Sequence, residues 1–340
     1  MRLLMLSWRG PGHPLAGGAE AYTSAILTEL ARRGHAVTWF CEGGTPPPGV
    51  SLVTGSPVYR AGTRYLRRHA RDLDLVVDQI NGRGFLTPWT SPIPVLTFIH
   101  QLAADLWAYD PSPFRRLVGP TAERILLRPY RRLPFVTVSE STRTDLRRLG
   151  WTGSAHLAYN GVTIGPTAPK EVHPTLVFLG RLQAPGKRLD HAIAVFRLLR
   201  LRIPDLRLWV LGRGAIPRDL PEGVEVFLDV PQTTRDDRLA RAWLLVATSR
   251  REGWGRMVLE AAAVGTACAV YETPGLGEVG RAVGGVITPA HPEALAAAAG
   301  DMLADPAALF ARGRQAQERV AAFTWERAAD VWEVAMREVL

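Results

Sequence analysis

The strongest constraint on this chain is an alternation that runs through it twice. Short apolar runs of strand length alternate with segments of helical period, and the series breaks once, at a stretch rich in glycine and proline. In the first half the strand-like runs are Leu3–Ser7, Ala36–Cys41, Leu73–Asp78, Val95–His100, Phe135–Val138 and Ala155–Tyr159. The helical patterns between them are clearest at Ala19–Arg33, Phe114–Arg128 and Ser141–Leu149. Gly161–Pro174 carries Gly161, Gly165, Pro166, Pro169 and Pro174 with little apolar content, and reads as a linker. The alternation restarts with the runs Thr175–Leu179, Leu206–Leu211, Val224–Leu228, Leu244–Thr248 and Ala267–Tyr271, and the helical patterns Leu189–Leu199, Met257–Val264 and Pro292–Leu303. From Thr324, a suitable N-cap, the chain reads as helix to its end.

Strands that alternate with helices belong in a parallel sheet, because each crossover lays a helix on one of its faces. The 340 residues are enough for two such α/β domains, each with its own core. The expected division is 1–165, 166–323 and a closing helix at 324–340. Two domains of this kind face a cleft, and ligands in such sheets bind beyond the carboxyl ends of the strands. Chemistry is therefore sought just after each strand.

Composition narrows the classes. Hydrophobic residues make up 47% and charged residues 21%, the balance of a globular protein and not of a disordered one. No apolar run approaches the roughly 18 residues of a membrane span. Met1-Arg2 leads straight into a strand-like run, so no signal peptide is read, and the chain is expected to be cytoplasmic. Two cysteines, Cys41 and Cys268, fall in different halves and suggest neither a disulfide framework nor a zinc site. With no closely spaced histidine pair either, no metal is expected.

The charge is unevenly spread. Of 41 basic residues only Lys170 and Lys187 are lysine, a pattern that fits Arg-rich coding. Residues 1–165 hold 19 basic against 11 acidic residues (+8), and 166–340 hold 22 against 21 (+1), together the net +9. Arg64, Arg67, Arg68 and Arg71 form one basic cluster of the first half. Arg115, Arg116, Arg124, Arg128, Arg131 and Arg132 form another, interleaved with Phe114, Leu117, Val118, Ile125, Leu126 and Leu127. A basic, partly apolar surface of this kind suits peripheral contact with anionic membrane. The plainer alternative puts solvated Arg on any helix and the apolar residues in the core. Nucleic acid is a poor fit as a partner, because the Arg excess comes with no recognised reader motif.

The densest motif is Arg251-Glu252-Gly253-Trp254-Gly255-Arg256-Met257-Val258-Leu259-Glu260-Ala261-Ala262. A strand ends near Ser249, Glu252 lies in the next loop, and a helix is expected from about Arg256. Gly253 and Gly255 let the backbone turn tightly and approach a ligand. The free N–H groups and positive end of that helix suit a diphosphate. Glu252 and Glu260 stand on either side of the turn, so a shared-proton pair is not expected. They suit two separate sets of hydroxyls, one on a sugar and one on a ribose. Without a ligand the same residues are a solvated acidic loop and a helix-start Glu.

A second motif is Leu179-Gly180-Arg181-Leu182-Gln183-Ala184-Pro185-Gly186-Lys187-Arg188. Arg181 and Lys187 place two cations at one strand end, where a leaving nucleoside diphosphate needs its charge neutralised. A P-loop reading fails: five residues separate Gly180 from Gly186 where four are needed, and Arg188 stands where Ser or Thr would hold a metal. Lysine is kept at only two of 41 basic positions, so Lys187 suggests a need for a compact ammonium. In the first half, Gly17 and Gly18 open a helix and admit a ligand to its N–H groups, and His100 ends a strand-like run. Alone, the glycines are a turn and the histidine is structural.

Together these residues resemble glycosyltransferase family 4, retaining enzymes of the GT-B fold. The resemblance runs nearly end to end: Gly17-Gly18-Ala19-Glu20, His100, Val138-Ser139-Glu140-Ser141, Asn160-Gly161-Val162, Gly180-Arg181-Leu182 with Lys187, Leu211-Gly212-Arg213-Gly214, the Glu252–Glu260 motif, and Phe323-Thr324-Trp325. It implies two Rossmann-like domains and a final helix that crosses back onto the first. It implies that Arg181 and Lys187 hold the donor diphosphate, that Glu252 contacts donor-sugar hydroxyls, and that Glu260 contacts the ribose. The backbone at Met257, Val258 and Leu259 would support the phosphates and ribose, with Gly180, Gly253, Trp254 and Gly255 shaping the same site. His100 would lie beside the transferred sugar, and Gly17 and Gly18 would line the pyrophosphate–acceptor region. Trp254 stands where Phe is common, and Asp229 where Gly often precedes the base-binding loop. The implied reaction is metal-independent hexosyl transfer from a nucleotide-sugar co-substrate, with no cofactor. The acceptor would be a cell-envelope or lipid-linked glycan, or a specialised metabolite. Two other functions use the same features: a catalytically silent nucleotide-sugar-binding subunit, and a sugar-nucleotide epimerase of this fold.

Overall fold

The computed structural model describes every residue except Leu15. It divides into two compact units, Met1–Gly161 with Phe323–Leu340, and Val162–Ala322.

The first unit is built on seven parallel strands: β1 (Arg2–Leu6), β2 (Ala36–Cys41), β3 (Val50–Thr54), β4 (Leu75–Ile80), β5 (Val95–Ile99), β6 (Phe135–Thr137) and β7 (Ala155–Leu157). Its helices include α1 (Gly18–Arg32), α2 (Val58–His69), α3 (Thr87–Thr90), α4 (Pro113–Leu127) and α5 (Glu140–Arg148). The strand order is β3-β2-β1-β4-β5-β6-β7. Central strands covered on both faces must be apolar throughout, and Leu3–Leu6 and Leu75–Val77 are all fully buried. Three of these elements, β3, α2 and the four-residue α3, have no counterpart in the sequence reading. β3 is an edge strand with exposed Ser51 and Thr54, and α2 buries only Val58, Gly62 and Leu66 beneath a polar surface. β4 starts two residues later than its apolar run, because the Asp74 carboxylate accepts the Arg2 backbone N–H (2.6 Å) and guanidinium (2.9 Å).

The second unit has six parallel strands: β8 (Thr175–Arg181), β9 (Arg207–Arg213), β10 (Val224–Leu228), β11 (Leu244–Ala247), β12 (Ala267–Tyr271) and β13 (Val286–Thr288). They are ordered β10-β9-β8-β11-β12-β13. Helices α6 (Leu189–Arg200), α7 (Gln232–Arg241), α8 (Arg256–Ala263), α9 (Leu276–Val283), α10 (Pro292–Ala304) and α11 (Pro306–Val320) accompany them. In both sheets the first strand sits inside and the order reverses beside it. This is the doubly wound arrangement, whose binding crevice opens at the reversal.

Gly161–Pro174 forms no helix or strand, yet part of it is tied to the second unit. The Lys170 ammonium donates to the carbonyls of Ala240 (2.8 Å), Ala242 (2.9 Å) and Gly265 (3.3 Å) and to Thr266 Oγ1 (2.8 Å). These carbonyls lie at the C-terminal ends of α7 and α8, where the helix dipoles favour a cation. Burial lowers the Lys170 pKa to about 8.

The closing helix, α12 (Trp325–Val339), is capped by Thr324 and packs on α1 and on β5–β7 of the first unit. Trp332 Nε1 donates to Tyr22 Oη (3.0 Å), which donates to the Ala158 carbonyl (2.8 Å). Arg33 at the end of α1 binds Glu29, Asp330 and Glu333. Among the described residues no single helix is long and apolar enough to cross a membrane.

Candidate active site

In the second unit, Leu179-Gly180-Arg181 at the end of β8 runs beside Leu211-Gly212-Arg213 at the end of β9, residue against residue. A Cβ on Gly212 would lie 1.8 Å from the Gly180 carbonyl oxygen, so only glycine fits there. Arg181 is exposed, with no side-chain partner among the described residues. The loop that follows is stitched to the end of the neighbouring strand β11. Arg250 N–H donates to the Gly186 carbonyl (2.8 Å), and Thr248 Oγ1 lies 3.0 and 2.8 Å from the carbonyl oxygens of Lys187 and Arg188. Arg188 is held in the left-handed region at φ +53°, a strained conformation for a side chain of this size. Its guanidinium lies over the Tyr271 ring and reaches His191, which also bonds Tyr271 Oη (2.9 Å).

Because β8 and β11 are neighbours, the loops after them meet. Lys187 Nζ lies 2.5 Å from Glu252 Oε1, and the two side chains are 21% and 13% exposed. The Glu252 loop is held from behind by the start of α9. Glu252 N–H donates to the Pro274 carbonyl (2.9 Å), and Gly275, at φ +74°, approaches so closely that a Cβ would lie 2.2 Å from the Glu252 oxygen. Gly255, at φ +85°, turns the chain into α8. Met257 to Ala263 are all buried, Trp254 is buried, and the N-terminus of α8 lies directly after the Glu252 loop. Glu260 is buried and accepts from Arg256 Nε (2.7 Å) and Arg235 Nη2 (3.0 Å). The two glutamates thus have different partners.

In the first unit, Gly17 is the N-cap of α1, its N–H donating to Glu20 Oε2 (2.7 Å), and Gly18 opens onto free space. Tyr22, one turn further, sets its ring edge-on to His100, which follows β5 and also packs on Phe98 (4.3 Å). His100 Nε2 is out of contact with solvent and has no hydrogen-bond partner among the described residues. Burial drives its pKa down to about 3, so the ring is neutral.

That neutrality has a consequence for stability. An unfolded chain protonates this histidine near pH 6.5, and the folded one only near pH 3. Between those values the unfolded state binds more protons, so stability is full above pH 6.5 and falls as the pH drops toward 3. Replacing His100→Gln is expected to make the loss shallower by up to ~1.4 kcal/mol per pH unit. Melts between pH 7 and 4 check this, and parallel curves for the two proteins would refute it.

Two family models cover most of the chain: "Glycosyltransferase Family 4" matches residues 16–165, and "Glycosyl transferases group 1" matches 173–305. The chain belongs to glycosyltransferase family 4. It is 26% identical to glycogen synthase from Mycobacterium tuberculosis, over 97% of this chain and 92% of that relative. It is 28% identical to D-inositol 3-phosphate glycosyltransferase from Kineococcus radiotolerans, over 94% and 90%. Its fold is that of sucrose-phosphate synthase from Thermosynechococcus elongatus (TM-score 0.80, 19% identity, 99% and 98% covered). It is also that of Anabaena HepE in complex with UDP and glucose (TM-score 0.77, 17% identity, 99% and 100% covered). Two Rossmann-like units of GT-B type agree with the architecture above.

In this family 4 glycosyltransferase, Arg181, Lys187, Glu252 and the start of α8 lie at the strand reversal of the second unit, and Gly17 and Gly18 at that of the first. Asp229, in place of glycine, adopts φ +48°, which aspartate tolerates better than most residues, and pairs with Arg213 (2.9 Å). Several supporting residues escaped the sequence reading. Arg256 stands four residues before Glu260, a readable helical pair, but Arg235 comes from another helix. Thr248 acts through the backbone of a distant loop. Asp78 is the least visible. Fully buried in β4, it accepts Phe85 N–H (3.0 Å), Thr87 Oγ1 (2.8 Å) and Tyr130 Oη (2.8 Å), while Tyr130 Oη accepts Leu86 N–H (2.7 Å). Burial pushes its carboxyl above the usual range. Among the described residues no cluster of three or more His, Cys, Asp or Glu is arranged to hold a metal.

Proposed function

We propose that this glycosyltransferase moves a hexose from a nucleoside diphosphate sugar to an acceptor hydroxyl, retaining the anomeric configuration and using no metal ion. The observation that carries the reading is the Lys187–Glu252 pair, set on the loops after neighbouring strands and beside the N-terminus of α8. A diphosphate there meets the Lys187 ammonium, the Arg181 guanidinium and the first-turn N–H groups of α8. It competes with Glu252 for Lys187, which frees the Glu252 carboxylate to accept from donor-sugar hydroxyls. Glu260, oriented by Arg235 and Arg256, takes the ribose. By the resemblance to the family, neutral His100 serves the transferred-sugar side, and Gly17 and Gly18 serve the pyrophosphate–acceptor side.

In the step itself, the acceptor oxygen bonds to the anomeric carbon on the face from which phosphate departs. The carbon–oxygen bond to the diphosphate breaks with its electron pair on oxygen, and that oxygen takes the acceptor's proton. The protein supplies positioning and charge stabilisation, and the nucleotide sugar is a co-substrate. UDP-glucose is the first donor to try, since HepE was solved with UDP and glucose. A donor at 100 times its dissociation constant is expected to stabilise the protein by about 2.7 kcal/mol in thermal melts. Nucleotide release and the anomer formed are then followed with and without EDTA, with activity expected to survive. Loss restored by magnesium or manganese contradicts the cationic leaving-group account. Donor binding without turnover across an acceptor panel indicates a silent subunit, and an altered sugar formed without acceptor indicates an epimerase.

A further inference from the structure

Helix α4 has an outer face that packing within its unit does not explain. Its inner face is Gly119, Glu123 and Leu127, all buried. Gly119 lies against Trp107, whose ring would meet a Cβ at 2.3 Å. Glu123 accepts Ala103 N–H (2.8 Å), Ala104 N–H (3.0 Å) and Trp107 Nε1–H (3.1 Å). The opposite face, at helical spacing, is Phe114, Leu117, Thr121, Arg124, Ile125 and Arg128. Phe114 is 72% exposed, Leu117 80% and Ile125 57%. The one acidic residue of the helix is the inward Glu123, so the outer face carries arginine and no carboxylate. Arg-rich coding accounts for the arginines but not for large apolar side chains left in solvent between them.

The basic cluster of α2 is connected to this face. α3, whose Trp89 is 70% exposed, packs against both α2 and the turn at 128–130 that follows α4. Arg67 of α2 donates to the Thr90 carbonyl at the end of α3. The exposed Arg64, Arg67 and Arg68 of α2 thus join the α4 surface through α3.

We propose that this side of the first unit docks on an anionic phospholipid surface. Apolar side chains enter the boundary between headgroups and acyl chains while arginines pair with anionic lipid. A symmetric dimer through the same face would set arginine-bearing surfaces against each other, an electrostatic mismatch that lipid phosphates remove. The inference concerns where the enzyme sits, and is independent of the reaction above.

The full-length protein is sedimented with phosphatidylcholine vesicles, with and without phosphatidylglycerol, over a salt series. Binding is expected only with the anionic lipid, and is expected to weaken as salt rises. Each exposed Arg contributes about fivefold to partitioning, so Arg124→Glu with Arg128→Glu is expected to lower it more than twentyfold. Phe114→Ser with Leu117→Ser is also expected to weaken it. Both pairs are exposed, so unchanged melts show that the fold is kept. No binding at the lowest salt, equal binding to neutral vesicles, or unchanged binding by the Arg pair overturns the proposal. So does sedimentation velocity showing a dimer that Phe114→Ser with Leu117→Ser dissolves.

Discussion

Lys187→Ala and Glu252→Ala are each expected to slow sugar transfer a hundredfold to a thousandfold while leaving the fold intact. Lys187 neutralises charge that grows on the leaving diphosphate, and Glu252 orients the sugar whose bond is breaking. Removing one preorganised charge-stabilising contact at a transition state costs about 2.7–4 kcal/mol. The fold survives because both side chains keep access to water, at 21% and 13% exposure, so neither variant strands a charge in a dry core. Their loop backbones are also held by other groups, Thr248 for one and Pro274 for the other. Lys187→Arg is expected to be impaired too, since a planar guanidinium cannot take the place of a compact ammonium 2.5 Å from a carboxylate oxygen. Steady-state transfer rates, with a melt of each variant, check this. Wild-type rates in both alanine variants would remove the site assignment. A fully active Lys187→Arg would remove the claim that ammonium geometry matters.

Asp78→Ala is expected to destabilise the first unit by about 3 kcal/mol or more, without touching the diphosphate site. Its carboxylate is the shared acceptor for Phe85 N–H, Thr87 Oγ1 and Tyr130 Oη, all in a buried setting. Each donor left without a partner costs about 1–3 kcal/mol. Gly84 shows how closed the region is, because a Cβ there would lie 2.9 Å from Asp78 Oδ1. A unit of this size loses ~2–4 °C of melting temperature per kcal/mol, so a drop of roughly 6–12 °C is expected. Asp78→Asn keeps part of the acceptor capacity and is expected to fall between. An Asp78→Ala protein melting within a degree of wild type would show that the network does not hold the loop.

Much of this protein was legible in the order of its residues. Buried parallel strands must be apolar on both faces, so β1, β2, β5 and β12 stand out as runs. β3 and α2 do not, because an edge strand and a helix with one narrow buried face carry too little apolar signal. The glycines of the Glu252 loop and the Gly-Arg strand ends were visible because close backbone approach leaves room for no other residue, as the 1.8 Å clearance at Gly212 shows. The exposed state of Phe114 and Leu117 was not readable, since an apolar residue on a helix looks the same whether it meets a core or solvent.

The sequence alone determined the doubly wound class, the two-unit plan and which loops bear the charged side chains, because periodicity, chain breaks and glycine requirements are local properties. Tertiary structure decided which of those charges meet. Lys187 and Glu252 are 65 residues apart and pair only because β8 and β11 are neighbours in the sheet. Glu260 is shared by Arg256, one helical turn away, and by Arg235, brought by a separate helix. His100 is neutral because Phe98 and Tyr22 enclose it. Strand order and burial set these partnerships and protonation states, and both arise from contacts between segments that no local pattern in the chain records.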